Sequence, residues 1–143
     1  MSGVTETRLK VYQATALFSV LFALVGFSYN VWRLEVTEHN SNVREASFEL
    51  LLQLAELEQV VYAAHYDRDL ERGSPRDGWV KVGLINDLSG TCGEAVVASA
   101  AVLKAVWSSN WAQMAEQSSA TDAVVTAIDD TRAEVRAVLS TLN

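Results

Sequence analysis

The sequence contains two histidines and one cysteine, the side chains most often used as metal ligands or nucleophiles, at His39, His65 and Cys92. Asp69 follows His65 by four residues, which places both on one face of a helix. Metal sites in helical bundles use Glu-x-x-His motifs from several helices, and the sequence contains none. We therefore expect both histidines to be solvated or locally hydrogen-bonded, with no metal site and no cofactor.

Cys92 is the single cysteine, so it cannot form an internal disulfide. A cysteine and a histidine can act as a nucleophilic pair, but no local pattern around Cys92 supports that role. Glycine-rich phosphate loops, a G-x-S-x-G elbow and an H-E-x-x-H motif do not occur in the sequence. We expect a buried structural cysteine, with an intermolecular disulfide as the alternative, in a protein that is not an enzyme.

The charge distribution argues against nucleic acid as a partner. The chain has a formal net charge of −7, with residues 1–33 at +2 and residues 34–143 at −9. Phosphate binding needs clustered lysine and arginine, which this chain does not have. The asymmetry instead separates a short N-terminal segment from an acidic, solvated domain.

The most unusual stretch is residues 65–79, which mixes acids, arginines and aromatic rings around a tight turn. Arginine and tryptophan are favoured at protein interfaces, and loops on a rigid scaffold often carry function. Arg72, Arg76 and Trp79 are therefore candidate partner-binding residues. The alternative is a corner between helices with a solvated charge network.

Trp107 and Trp111 are four residues apart and face similar directions on a helix. They are candidates for an aromatic-walled groove that binds a partner helix or a small apolar ligand. The alternative places Trp107 in the core and Trp111 at its rim.

Residues 11–31 contain no charged side chain and are long enough, at roughly 30 Å, to cross the hydrocarbon core of a bilayer. The sequence predicts a transmembrane signal-anchor helix over 11–32. A cleaved signal peptide would need a small-x-small cleavage site, which is missing here, and a buried core helix would need a larger domain. The predicted membrane-interface residues are Lys10, Tyr12, Tyr29, Trp32 and Arg33.

Flanking charge predicts the orientation, because cytoplasmic flanks are rich in lysine and arginine. Residues 1–10 are expected to be a short cytoplasmic N-terminus and residues 33–143 an extracytoplasmic domain. Alanine-rich helices and an excess of arginine over lysine favour a bacterial inner membrane and a periplasmic domain. Gln13 and Ser19 provide polar surface of the kind through which membrane helices associate.

In the predicted extracytoplasmic domain, residues 33–143, the spacing of apolar residues is typical of a helical bundle. Asn42 and Glu45 fit the pattern of a helix start, and this helix is predicted to reach about Leu70. Because neither proline nor glycine interrupts residues 29–72, it is also free to continue from the apolar segment. One apolar stripe repeats every seven residues: Val43, Ser47, Leu50, Leu54, Leu57, Val61 and Ala64. A second stripe widens the apolar face and predicts burial against more than one neighbour: Phe48, Leu52, Ala55, Tyr62 and Tyr66.

Three more helices are predicted after Gly73. A short one starts at Ser74-Pro75 and runs over residues 78–88, where a brief strand at 80–82 would have no partner. Ser89-Gly90 is expected to break it. The next helix starts at Thr91 with a capping box and reaches about Gln117, and the last starts at Ser118. By their helical spacing, the positions that these two helices are expected to bury are Val96, Ala100, Leu103, Trp107 and Met114 on the first, and Val124, Ile128, Thr131, Val135, Val138 and Leu142 on the second.

The predicted fold is all-α: a single N-terminal transmembrane helix followed by a compact bundle of about four helices, one of them short. We expect a non-enzymatic accessory or interaction subunit of a membrane-associated complex, bound to the lipid bilayer and to other membrane subunits or to itself. The alternative is a ligand-sensing bundle that signals through partner proteins. In outline the layout resembles the helical input domains of bacterial chemoreceptors, although it shares no motif with them.

Overall fold

The computed structural model describes the backbone of residues 2–142 and the side chains of residues 8–142. Across these residues the chain is all-helical, with four α-helices, one π-helix and no strand. The predicted all-α class is confirmed, and four helices contribute to the bundle as predicted, because the apolar segment and the first bundle helix form one continuous helix. The prediction of one short helix is wrong, since the helix expected over 78–88 has 18 residues and is longer than the 17-residue helix after it. The predicted N-terminal tail, residues 1–10, lies partly outside the described side chains, and Asn143 lies outside the described residues. The helices are α1 (Ser2–Tyr62), a π-helix (Ala63–Asp67), α2 (Pro75–Cys92), α3 (Glu94–Asn110) and α4 (Ser118–Thr141).

The chain divides into two compact units, one ending at His39 and the other beginning at Asn40. The first unit consists of the N-terminal part of α1, and its described side chains from Arg8 to His39 are all exposed. The second unit contains the rest of α1 and the other helices. The helix start predicted at Asn42 is therefore wrong, because α1 continues through that position without a new cap.

The core of the second unit takes side chains from all four helices. Every residue of the predicted stripe with the seven-residue repeat, from Val43 on α1 to Ala64 on the π-helix, is buried. Helix α3 packs against both α2 and α4. On α3 and the turn after it, the predicted core positions are all buried: Val96, Ala100, Leu103, Trp107 and Met114. On α4, Val124, Ile128, Thr131 and Val135 are buried, whereas Val138 and Leu142 are only partly covered.

Two predicted helix boundaries are displaced. Ser89-Gly90 does not break α2, which continues to Cys92 because Ser89 and Cys92 both face the core. The break falls at Gly93, whose φ of 111° is rarely adopted by residues with a side chain. The capping box predicted at Thr91 is therefore absent.

Two helix ends also differ from the prediction. Helix α3 ends at Asn110 rather than near Gln117, and residues 111–116 form turns. The α-helical part of the first predicted bundle helix ends at Tyr62, and a π-helix carries the chain to Asp67 instead of Leu70. Arg68 then takes a left-handed conformation with φ 54°. The start of α2 is as predicted, with Ser74 at the cap and Pro75 at the first helical position.

The largest departure concerns the predicted second apolar stripe, which consists of Phe48, Leu52, Ala55, Tyr62 and Tyr66. Gln59 lies on the same line of the helix, and we call these six residues the outer stripe; the first five lie on α1 and Tyr66 lies on the π-helix. Its large side chains were predicted to be buried, but Phe48 is 59% exposed, Leu52 51%, Tyr62 39% and Tyr66 65%. The reason is that α2, α3 and α4 contribute to a core on the opposite side of α1 only. The outer stripe is thus an apolar face that the described part of the chain leaves uncovered.

Candidate interaction surfaces

Helix α1 carries an apolar surface in the first unit. Among the described residues, one helical stretch is long and apolar enough to cross a membrane, and none of its most apolar 18-residue window is buried. Phe18 and Phe22 stack along the helix, with ring centroids 6.4 Å apart. At the C-terminal end of the apolar segment, the ring centroids of Tyr29 and Trp32 are 6.2 Å apart, and Arg33 follows Trp32 in the sequence.

The polar residues of this segment are largely engaged with their own helix. The Ser19 hydroxyl donates to the carbonyl of Thr15 at 2.9 Å, and the Thr15 hydroxyl donates to the carbonyl of Val11 at 2.9 Å. Hydroxyls bonded in this way add little polarity to the helix surface. Gln13 is exposed and has a longer amide side chain, so it is the stronger candidate for bonding a neighbouring helix.

The corner between α1 and α2 is held by hydrogen bonds from backbone N–H groups to the side chain of Asp69. The backbone N–H groups of Glu71 and Arg72 both donate to the Asp69 carboxylate at 3.0 Å. The turn leaves Arg72 and Arg76 exposed, as a partner-binding surface requires. The same exposure suits a solvated corner, so the geometry agrees with either interpretation.

Trp79 and Trp107 form an edge-to-face pair, with ring centroids 6.3 Å apart and planes at 88°. Trp107 is fully buried, and Trp79 is partly exposed over it. Gly78 lies against the same indole: a Cβ at that position would be 2.2 Å from Cζ2 and Cη2 of Trp107. Trp107 therefore offers no surface to a partner, whereas the outer edge of Trp79 does. The spacing of Trp107 predicted a core position, but nothing in the sequence pointed to its contact with Gly78.

Trp111 is partly exposed at the first turn after α3. That turn is held to the core by Met114, whose carbonyl accepts from the Thr121 hydroxyl at 2.7 Å. The same carbonyl lies 2.9 Å from Nδ1 of His65, at the π-helix. His65 thus links two turns and has a structural role in this geometry, and Trp111 sits at the rim of the core.

Charged pairs flank α1 on both sides of the outer stripe. Glu56 pairs with Lys81 of α2, and Glu58 pairs with Arg132 of α4 at 2.7 Å. Arg132 also bonds Asp129 one turn earlier on α4. The Tyr62 hydroxyl donates to Glu58 at 3.0 Å. This hydrogen bond is the main cause of a raised pKa of Tyr62, and the partial burial of the ring is the second cause. These pairs join positions up to 74 residues apart, so sequence spacing gave no signal for them.

Two open grooves run along the contact between α1 and α2. One has a volume of about 450 Å³ and combines Val60 and Leu84 with the charged side chains of Arg72, Asp77 and Lys81. The other has a volume of about 790 Å³ and is lined by several residues including Phe48, Leu52 and Leu88. Trp107 lines neither of these two grooves, and because it is fully buried it cannot form the exposed wall of a groove with Trp111.

The residues with potential for chemistry are dispersed. Cys92 is buried and lies with its sulfur 3.5 Å from the Ser47 hydroxyl, while His39 is exposed in the first unit. Among the described residues, no group of three His, Cys, Asp or Glu side chains is placed to hold a metal ion. The arrangement places no histidine beside the Cys92 sulfur, since its described partners are Ser47 and a backbone carbonyl of Leu88.

Comparison of the chain with known protein-family models, with curated proteins and with solved structures finds no match.

Proposed function

We propose that this protein is a non-enzymatic, membrane-anchored interaction subunit. Residues 11–32 of α1 cross a bacterial inner membrane with the N-terminus in the cytoplasm, and residues 33–143 form a periplasmic domain that presents surfaces to other subunits. The observation that carries the proposal is the run of apolar side chains on α1 that nothing in its own unit covers.

The magnitude of this exposure supports a bilayer as its environment. Sixteen large apolar or aromatic side chains between Leu9 and Val36 are exposed, Phe22 by 72%. Covering that much apolar surface is worth on the order of 20 kcal/mol, at about 1.5 kcal/mol for each side chain. Such a surface is costly in water and favourable in hydrocarbon. Lys10 and Arg33 bracket the segment, as charged residues at headgroup level do.

Alkaline extraction and vesicle flotation test the anchor directly. Leu21→Arg with Val25→Arg places two charges in the middle of the segment, where each costs about 2.5–3.5 kcal/mol on insertion. We expect this variant to lose membrane retention. Val80→Arg, on an exposed position of α2, is the matched control and should float like the wild type. A wild-type protein that stays in the soluble fraction contradicts the anchor.

Topology is tested by a reporter fused at the C-terminus, such as alkaline phosphatase, which is active only outside the cytoplasm. Activity is expected. If the C-terminal fusion were inactive and an N-terminal fusion were active, the protein would have the opposite orientation to the one proposed.

The corner of Arg72, Arg76 and Trp79 is the candidate surface for another subunit. Arg76→Glu is the sharper test, because Arg76 is exposed, whereas Trp79 also packs on the buried Trp107. We expect Arg76→Glu to leave thermal unfolding unchanged and to reduce co-purification of membrane subunits in mild detergent. Arg136→Glu, exposed on α4, is the control. Equal recovery with both variants would favour a purely structural corner.

A ligand-sensing role is the second candidate, and the groove near Arg72 favours it. Arg72, Asp77 and Lys81 provide charges of both signs beside apolar Val60 and Leu84, which suits a small zwitterion. Calorimetric titration with free amino acids is the test. Binding lost in Arg72→Ala would support sensing, and no heat with any of them would count against it.

A further inference from the structure

We propose that the outer stripe of α1 is a self-association face that binds the outer stripe of a second copy of this chain in a parallel, in-register helix pair. The stripe itself does not depend on the membrane anchor, but the parallel orientation rests on the proposed function.

The spacing of the stripe is that of a two-stranded seam. Its six residues, at positions 48, 52, 55, 59, 62 and 66, alternate steps of four and three residues. Over the α-helical positions 48–62, that 3.5-residue period keeps the stripe facing a partner helix. Tyr66 follows on the π-helix, where its ring stays 5.6 Å from that of Tyr62. The seam ends at Glu45, the next position upstream, where a charged side chain replaces the apolar ones. It therefore covers residues 48–66, all within the second unit.

The side chains along the seam match what a pair of helices needs. Phe48 and Leu52 provide apolar contacts at one end, and Tyr62 and Tyr66, whose rings lie 5.6 Å apart, provide an aromatic surface at the other. Exposed Gln59 lies between them. A polar residue at one seam position favours one register, because its amide meets the equivalent amide of the partner only when the two helices are in register.

Charge at the flanks favours a parallel pair. In a parallel arrangement, a residue that flanks the line of the seam on one helix faces the residue five positions later on the partner, and Arg44 occupies such a flanking position just beyond the end of the seam. For this seam, that rule places Arg44 of one copy opposite Glu49 of the other, and two-fold symmetry forms the pair twice. Both side chains are exposed. Oε1 of Glu49 accepts from Nε2 of Gln53 at 2.9 Å, which leaves Oε2 for the contact with Arg44.

The area available sets the expected strength. With roughly 200 Å² for each large side chain, the exposed fractions of Phe48, Leu52, Tyr62 and Tyr66 amount to about 400 Å² per copy. Stable complexes bury about 1,200–2,000 Å² in total, so the four side chains provide over half of the lower value. Flanking residues add to this. The association is therefore weak in solution and is strengthened when both copies are confined to one membrane, because confinement raises their effective concentration.

Two copies inserted by the same segment share one topology. In both copies, residues 48–66 are then separated from the membrane segment by the same number of residues, which favours an in-register pair. An antiparallel pair would place Glu49 away from Arg44 and would separate the two Gln59 side chains.

Disulfide trapping in vesicles tests the proposal. Full-length Gln59→Cys is reconstituted in phosphatidylcholine vesicles at low protein density and oxidised with copper phenanthroline. Val102→Cys, also at an exposed position but on α3, is the matched control, and buried Cys92 remains in both variants. We expect a disulfide-linked dimer with Gln59→Cys at a yield several-fold above the control. Equal yields at the two positions would overturn the proposal.

Three further variants distinguish specific pairing through the seam from random collision of two copies. Leu52→Glu, added to Gln59→Cys, should lower the dimer yield to the control level without changing thermal unfolding, since Leu52 is half exposed. Arg44→Glu should lower the yield, and Arg44→Glu combined with Glu49→Arg should restore it. Unchanged dimer yield in Leu52→Glu would refute the outer stripe as the interface, even if other proteins bind there.

Vesicle flotation, measured on the same samples, distinguishes this proposal from the proposed function. A protein that fails to float contradicts the anchor, whereas the ratio of dimer yields at positions 59 and 102 still decides the seam. A floating protein with equal yields contradicts the seam and leaves the anchor in place.

Discussion

Replacing Gly78 by alanine is expected to destabilise the bundle, although the same substitution usually stabilises a helix. The new Cβ would be 2.2 Å from two ring carbons of Trp107, whereas carbon atoms in contact are normally about 3.5–4.0 Å apart. Trp107 is fully buried, so its ring cannot move aside into solvent. The Trp107 ring or the backbone of α2 must therefore move by roughly 1 Å or more, which is the difference between 2.2 Å and an ordinary carbon–carbon contact.

The size of the effect follows from two opposing contributions. Overpacking a core costs typically about 1–3 kcal/mol, and exchanging glycine for alanine within a helix contributes about 1 kcal/mol in favour of folding. Gly83 lies in the same helix with nothing within 4 Å of its Cβ position, so Gly83→Ala should show the favourable contribution alone. The two variants should therefore differ in unfolding free energy by about 1–3 kcal/mol, with Gly78→Ala the less stable.

Thermal unfolding measured by near-ultraviolet circular dichroism is the assay, because it follows the packing of the tryptophan side chains. For a domain of about this size, each kcal/mol shifts Tm by roughly 4–8 °C, so Gly78→Ala should melt at least about 4 °C below Gly83→Ala. Equal midpoints for the two variants would refute the packing of Gly78 on Trp107.

A double-mutant cycle isolates the contact. Trp107→Phe replaces the indole with a smaller ring, so Gly78→Ala should cost less in that background than in the wild type. Trp107→Phe also removes an indole N–H that is buried without a hydrogen-bond partner in the structure. An unchanged cost for Gly78→Ala in both backgrounds would place the clash elsewhere.

Three further substitutions test the hydrogen bonds and ion pairs of the bundle. Thr121→Val removes the buried hydroxyl that donates to a backbone carbonyl and should cost about 1–2 kcal/mol, whereas exposed Thr126→Val should be nearly neutral, as measured by urea unfolding. Arg132→Met breaks the partly buried pair with Glu58 and should cost about 1–3 kcal/mol, less at high salt; a salt-independent loss would contradict an ionic origin. Tyr62 should ionise above the ordinary tyrosine value of 10.0, because ionisation breaks its bond to Glu58, and the stability it adds is present below pH 10.0 and is lost as pH rises through the raised pKa. The difference in tyrosinate absorbance between wild type and Tyr62→Phe measures this, and ionisation at the ordinary value would contradict it.

Several features of the fold were predictable because they depend on short-range sequence. Pro75 starts α2, since its fixed φ suits a first helical turn and its missing N–H costs nothing there. The stripe from Val43 to Ala64 is buried as its seven-residue period predicted. Both are properties of a few neighbouring residues on one helix.

The candidate surfaces were less predictable. Phe48 and Leu52 have the same helical period as the buried stripe, so spacing alone could not tell which of the two faces the other helices cover. Ser89-Gly90 has the composition of a helix break, yet the burial of Ser89 in the core keeps α2 intact until Gly93. In each case a long-range contact overrode a local preference.

The amino-acid sequence by itself determined that the chain is helical and that one uncharged segment is long enough to cross a bilayer, because helix period and hydropathy are summed over adjacent residues. Tertiary structure alone decided that Trp107 packs on Gly78, that Glu58 meets Arg132, and that the outer stripe of α1 stays uncovered. Those contacts join residues tens of positions apart, and which face of a helix is covered depends on where the rest of the chain packs.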